Sequence, residues 1–366
     1  MRAARIPILA AVALFGCDRT PPPPPPPAEP VADLFAGHPG GTDAVAWSAD
    51  GRYVLSGGRD RTVRLWDAAT RAELAAWAGH EGNVLGVAFA PDGKTAASVG
   101  ADATLRFWDV AAREPGPVRA DFRGAVRAVA WSPDGALVAT ASEDRRVILW
   151  EPGRPAPAAV LDGHEAAVGA LAFSSDGRRL ASGGEDVRLW DVAARKPLAR
   201  FRRPADFSSP MRAVALSPDG RWLVAACDEA LLFWEPVDGA EPLVWVHENQ
   251  VRALAFSANG RRFATGAAHR PGLAKLWQVE TPGTKVLNAG GSVHRFGPDG
   301  RAELFFTPGI HRNPPGPVHA LAFSPDGKTL VTAGEAGIEP VMNPNTGIGP
   351  SPIGRTNPGL GLWPLP

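Results

Sequence analysis

Cysteine is almost absent from this 366-residue chain: two thiols, Cys17 and Cys227, exclude the disulfide framework on which small secreted folds depend. Tyrosine occurs once, and 38 Lys and Arg balance 38 Asp and Glu. A neutral chain is a poor match for nucleic acid, whose binders usually carry a strongly basic face. The N-terminal apolar run is about ten residues, short of the ~20 that a membrane-spanning helix needs. What the chain does have is 45% hydrophobic against 21% charged residues, enough to bury a core and to exclude disorder throughout. Its 41 glycines and 38 prolines imply many turns, and 12 tryptophans beside one tyrosine point to a recurring position. The length suits two domains or one large repeat or barrel domain.

The N-terminal stretch opens with Arg2 and Arg5, runs apolar from Ile6 to Phe15, and ends in Gly16-Cys17. A basic start followed by a short apolar segment reads as a signal peptide, residues 1–16. Leu14-Phe15-Gly16-Cys17 resembles the lipobox of bacterial lipoproteins, with Phe15 where that pattern carries a smaller residue. The resemblance implies cleavage before Cys17, diacylation of its thiol and a place in the bacterial cell envelope, since two acyl chains give an anchorage that one does not. A soluble secreted protein with an incidental Cys17 is the alternative. Seven consecutive prolines, Pro21 to Pro27, follow. A polyproline II rod rising ~3.1 Å per residue holds the next domain roughly 20 Å from the anchor, so residues 17–30 read as lipidated cysteine and spacer.

Beyond the spacer the chain is periodic. A turn recurs as Ser48-Ala49-Asp50-Gly51, Ala90-Pro91-Asp92-Gly93, Ser132-Pro133-Asp134-Gly135, Ser174-Ser175-Asp176-Gly177, Ser217-Pro218-Asp219-Gly220, Ser257-Ala258-Asn259-Gly260 and Ser324-Pro325-Asp326-Gly327. The first six begin at intervals of 42, 42, 42, 43 and 40 residues. Asp-Gly and Asn-Gly suit hairpin turns, and alternating runs such as Val129-Ala130-Trp131 before them read as half-buried strands. About eighteen residues after each turn begins stand Trp66-Asp67, Trp108-Asp109, Trp150-Glu151, Trp190-Asp191, Trp234-Glu235 and Trp277-Gln278. Gly37-His38, Gly79-His80 and Gly163-His164 precede their repeats. Together these resemble the WD-repeat β-propeller family, whose repeats run ~40–45 residues with Gly-His and Trp-Asp signatures.

The resemblance implies an all-β fold: a seven-bladed propeller of four-stranded antiparallel sheets over residues 31–347, interrupted by an insertion at about 285–317. The seventh repeat is degraded. Counting eighteen from Ser324 puts its third strand at Met342-Asn343, which leaves 348–366 as a C-terminal tail on the outside of the ring or disordered. The stretch Val31 to Ala36 is expected as the outer strand of that last blade, closing the ring and removing a free edge. Part of the insertion is expected to give blade six its outer strand.

The family also implies a buried hydrogen-bond network of one His, one Ser or Thr, one Asp and one Trp per blade. Blade one carries His38, Ser56, Asp60 and Trp66; blade two carries His80, Ser98, Asp102 and Trp108. Blade three has Thr140, Asp144 and Trp150 without a Gly-His, and blade four has His164, Ser182 and Trp190 with Asp186 in a loop two residues shorter. Blade five keeps Asp228 and Trp234, and blade six has His247, Thr265 and Trp277. Their composition imitates a catalytic triad, but a nucleophile would not recur blade after blade behind a packed tryptophan. No His or Cys spacing suits zinc, and the Asp turns lack a calcium loop's alternating oxygens. No metal or cofactor is expected, and Cys227 reads as a small buried hydrophobe.

Aligning the inner strands gives one residue per blade: Asp43, Leu85, Arg127, Gly169, Arg212, Arg252 and His319. In the family this column lies at the channel mouth, so Arg127, Arg212, Arg252 and His319 are expected to form a local basic patch, widened by Arg59, Arg61, Arg145 and Arg146. Such a patch favours an acidic peptide segment. The function expected is therefore a non-enzymatic, monomeric scaffold with a protein partner and no nucleic acid, displayed at the cell envelope. An envelope hydrolase or lyase, or a small-ligand sensor using the channel, is the alternative.

Overall fold

The computed structural model describes residues 33–35, 37–247, 249–267, 273–280, 305–312, 317–335, 337–339, 355–357 and 360–364. The signal peptide, Cys17, the proline spacer, Met342-Asn343 and most of the 285–317 insertion fall outside these. All regular structure among the described residues is β, arranged as a propeller of four-stranded antiparallel sheets.

The first sheet shows how the repeat folds. Thr42–Trp47, Tyr53–Gly58, Val63–Asp67 and Glu73–Trp77 pair in chain order, each with the next. In the turn after the first strand, the Gly51 N–H donates to the Ser48 carbonyl at 3.0 Å. The Ser48 hydroxyl donates to Asp50 Oδ1 at 2.6 Å and accepts from the Tyr53 N–H at 2.9 Å. Gly51 has φ of 72°, and its counterparts Gly93, Gly135, Gly177, Gly220, Gly260 and Gly327 lie between 67° and 73°. In that left-handed region a Cβ is strained, which is why the turn repeats its glycine.

Five more sheets follow the same order, with inner strands Val84–Phe89, Val126–Trp131, Ala170–Phe173, Ala213–Leu216 and Val251–Phe256. The outer strand of the sixth is Phe305–Arg312, paired with Leu273–Glu280. The core lies between successive sheets. Leu55 and Leu65 of the first pack with Val87, Phe89 and Trp108 of the second, and Val99 and Leu105 of the second pack with Val138 and Trp150 of the third. Equivalent layers join the third to the fourth, the fourth to the fifth and the fifth to the sixth. Each fully buried aliphatic or aromatic side chain contributes about 1.5–3 kcal/mol, so these layers carry most of the stabilisation.

A further four-stranded sheet joins distant parts of the chain. Val318–Phe323 pairs with Thr329–Gly334, that strand with Leu360–Pro364, and the last with Asp33–Leu34. This corrects the sequence reading of Met342-Asn343 as third strand and of 348–366 as a tail. Trp363 stands opposite Leu330, the register that Trp66 takes opposite Val54 and Trp108 opposite Ala96. The physical reason is proline: Met342-Asn343 lies between Pro340 and Pro344, which lack the N–H a ladder needs, whereas Leu360 to Trp363 is uninterrupted. Between the second and third strands a separate hairpin pairs Gly337–Glu339 with Arg355–Asn357.

Candidate functional site

Two sets of polar residues recur through the sheets. In blade one Trp66 Nε1 donates to Ser56 Oγ at 2.7 Å, Ser56 Oγ lies 2.7 Å from His38 Nε2, and His38 Nδ1 lies 2.8 Å from Asp60 Oδ1. Blade two repeats this with Trp108, Ser98, His80 and Asp102 at 2.8, 2.7 and 2.9 Å. The carboxylate fixes the proton on Nδ1, leaving Nε2 to accept from the serine. Burial lowers the affinity of both His38 and His80 for a second proton, outweighing the opposing pull of Asp60 and Asp102. Burial also raises Asp60, but hydrogen bonds from Thr62 and His38 outweigh it and hold the carboxyl below the usual range. Gly58 permits the packing, since a Cβ there would come within 2.3 Å of the His38 ring. Ser56 and Ser98 are fully buried and already accept a tryptophan N–H, so neither presents its hydroxyl to a substrate.

Later blades depart one partner at a time. In blade three Phe122 takes the histidine's place against Trp150, at 5.5 Å between ring centroids. Thr140 then accepts from Trp150 Nε1 at 2.9 Å and donates to the Ile148 carbonyl at 3.3 Å, while Asp144 turns to Arg146. In blade four His164 Nε2 keeps Ser182 at 2.7 Å, but the shortened loop leaves Nδ1 3.4 Å from Asp186. Asp186 is engaged by Arg200 instead. In blade six His247 Nε2 lies 3.2 Å from Thr265 Oγ1, and its Nδ1 lies 3.0 Å from the Asn249 carbonyl.

Blade five has Ala225 opposite Leu232, the register of Ser56. As a result Trp234 Nε1 is buried without a hydrogen-bond partner among the described residues. An orphaned buried donor costs about 1–3 kcal/mol, so Ala225→Ser is expected to stabilise the protein by about 1 kcal/mol. Urea unfolding of the two proteins side by side checks this; an unchanged midpoint would mean that water already satisfies the indole.

The second set stands where the inner strands begin. Arg252 Nη1 lies 3.1 Å from His319 Nδ1, and Arg59 Nη2 lies 3.2 Å from His319 Nε2. Arg59 Nε also donates to Asp43 Oδ1 at 3.1 Å, and Arg59 Nη1 lies 3.5 Å from Glu335 Oε1. This joins blade six, the last sheet and blade one through their side chains. Burial and then the cations Arg252 and Arg59 hold the His319 imidazole below its ordinary value, against the pull of Asp43 and Glu335. Arg127 is ion-paired with Glu143. Leu85 is half-buried, and a Cβ at Gly169 would lie 3.9 Å from Arg127 Cδ. Arg59 and Arg127 of the basic patch therefore pair with acids, and Glu143 and Glu335 escape a reading that follows the inner column alone. The repeat alignment locates them all the same, in the place held by Arg59 just past the second strand. Among the described residues no three His, Cys, Asp or Glu side chains group as metal ligands.

Comparison with family models adds an independent finding. The model for the WD domain, G-beta repeat, matches residues 29–67, 72–109, 117–151, 156–191, 196–235, 243–278 and 309–337.

Proposed function

Because the chain belongs to the WD40-repeat family, whose propellers generally serve as protein-interaction scaffolds, we propose that it is a non-enzymatic scaffold held at the bacterial cell envelope. It binds an acidic segment of a protein partner at the channel mouth, acts as a single propeller, and is tethered through lipid on Cys17 and the spacer at 17–30. The observation that carries the scaffold reading is where the polar residues go. The Ser-His pairs of blades one and two are buried behind tryptophan, whereas charged side chains gather half-exposed or exposed at the inner-strand starts.

The ring holds seven blades and is closed by the two ends of the chain. Two observations support this. The inner strand Val318–Phe323 neighbours both Val251–Phe256 and Thr42–Trp47. Phe35 packs on Trp66 at 5.4 Å, as Trp77 of blade one packs on Trp108 of blade two, so Phe35 plays the part of the preceding blade's last outer residue. Val331 and Ala333 complete the same apolar layer with Val45, Val54 and Trp66.

A cross-linking pull-down from native membranes, run with the wild type and Cys17→Ser, tests the proposal. The expected result is a diacylglyceryl modification on Cys17 by mass spectrometry and a defined protein recovered with the wild type. An unmodified Cys17 on a soluble, solitary protein would overturn both tether and scaffold.

A further inference from the structure

The charged residues at the inner-strand starts follow a pairing rule across the repeats. The second residue of the inner strands Thr42–Trp47 and Val126–Trp131 meets the residue just past the second strand, 16 positions later: Asp43 with Arg59, and Arg127 with Glu143. His319 and Glu335 stand at the same spacing, 3.9 Å apart. The sign of the pair changes from blade to blade, but each cation gains an acid.

Blades five and six break the rule together. Arg212 should meet Asp228, yet Asp228 sits in a tight turn between the paired residues Cys227 and Ala230, with φ of 52°. Its Oδ2 accepts the Ser209 N–H at 3.3 Å. Arg212 is exposed and has no ion-pair partner among the described residues. Arg252 should meet residue 268, which is alanine. Arg252 reaches His319 instead, while its Nε is buried without a partner among the described residues. Arg212 and Arg252 stand at the starts of the neighbouring inner strands Ala213–Leu216 and Val251–Phe256, and burial and then the charge of Arg212 hold the Arg252 proton less firmly than usual.

We propose that Arg212 and Arg252 together bind one carboxylate of an acidic peptide segment, which supplies from outside the acid that neither arginine meets in its own blade. The inference rests on the scaffold reading and narrows it. Arg127 is already paired and takes no part, and His319 is a positioning residue that steers the Arg252 guanidinium. A side-chain carboxylate fits better than a phosphate or a nucleic-acid backbone, because Asp43, Glu143 and Glu335 stand in the same two columns and repel a more concentrated negative charge. Guanidinium geometry favours the bidentate contact that a planar carboxylate offers.

The test is fluorescence anisotropy of the full chain with a fluorescein-labelled octapeptide of alternating glutamate and glycine, against the same peptide with glutamine, and with inorganic phosphate as competitor. The glutamate peptide is expected to bind at least about tenfold more tightly, the scale of one charge-assisted hydrogen bond. Arg212→Gln and Arg252→Gln should each abolish that difference and Arg127→Gln should preserve it. Arg212→Glu, at an exposed position, should shift preference to the lysine version of the peptide, which a merely misfolded variant would not do. Equal binding of the glutamate and glutamine peptides, an equal loss in Arg127→Gln, or full displacement by phosphate at concentrations matching the peptide would overturn the assignment. If a protein is recovered from membranes equally well with Arg212→Gln and Arg252→Gln, the assignment falls while the scaffold stands. If the peptide behaves as expected but no protein is recovered, the scaffold reading falls and the carboxylate site remains.

Discussion

Deleting residues 359–366 is expected to cost the protein its cooperative fold, although the stretch reads in sequence as part of a C-terminal tail. Leu360–Pro364 is the third strand of the last sheet: it pairs over five residues with Thr329–Gly334 on one side and with Asp33–Leu34 on the other. Without it the first exposes an unpaired edge and the second has no partner. At ~1 kcal/mol for each net hydrogen bond the ladder alone is worth about 5 kcal/mol, comparable with the whole stability of many domains. Edge exposure adds a tendency to pair with other chains. Thermal unfolding and gel filtration of the truncated protein check the expectation; an unchanged melting temperature would mean that the last sheet adds nothing to the fold. A shorter deletion, of residues 365–366 alone, should be silent.

The second large effect is expected at Ser98. Its hydroxyl serves both His80 Nε2 and Trp108 Nε1, and all three side chains are buried. Ser98→Ala orphans two groups at once, each at about 1–3 kcal/mol, so a loss of about 2–6 kcal/mol should appear in chemical denaturation. Ser98→Thr, which places in blade two the residue type that Thr140 supplies in blade three, should recover most of it. A loss below about 0.5 kcal/mol, the scatter of an ordinary surface substitution, would show that the network does not stabilise the blade.

The repeat is legible in sequence because two of its devices depend on residue chemistry that has few substitutes. A left-handed turn takes glycine, and a large buried indole at the end of the third strand takes tryptophan; both recur at fixed spacing. Where an insertion separates them, counting fails. The hairpin of Gly337–Glu339 and Arg355–Asn357 lies between Thr329–Gly334 and its neighbour, so an interval of eighteen ends on a proline-flanked pair and Trp363 is left over. The charged pairs were hidden for a different reason. Asp43–Arg59 and Arg127–Glu143 share geometry but exchange sign, so no residue type repeats, and only the position is conserved within the chain. The partial networks of blades three to six were readable as absences; what replaced each missing partner was not. Phe122 in a histidine's place and the Ile148 carbonyl under Thr140 are packing solutions, and neither has a sequence signature.

The pairing of Asp33–Leu34 with Gly361 and Leu362 also bears on how the chain reaches its fold. Nearly the full length of the domain separates these partners, whereas the other sheets among the described residues join strands in chain order. Contacts of such long separation form late, because the loop entropy must be overcome before they contribute. The other sheets can assemble locally as hairpins in the order of synthesis, but Asp33–Leu34 waits for Gly361 and Leu362. Until those emerge, an open sheet edge is exposed at one end of the array, and that interval is when the chain is most vulnerable to aggregation and proteolysis.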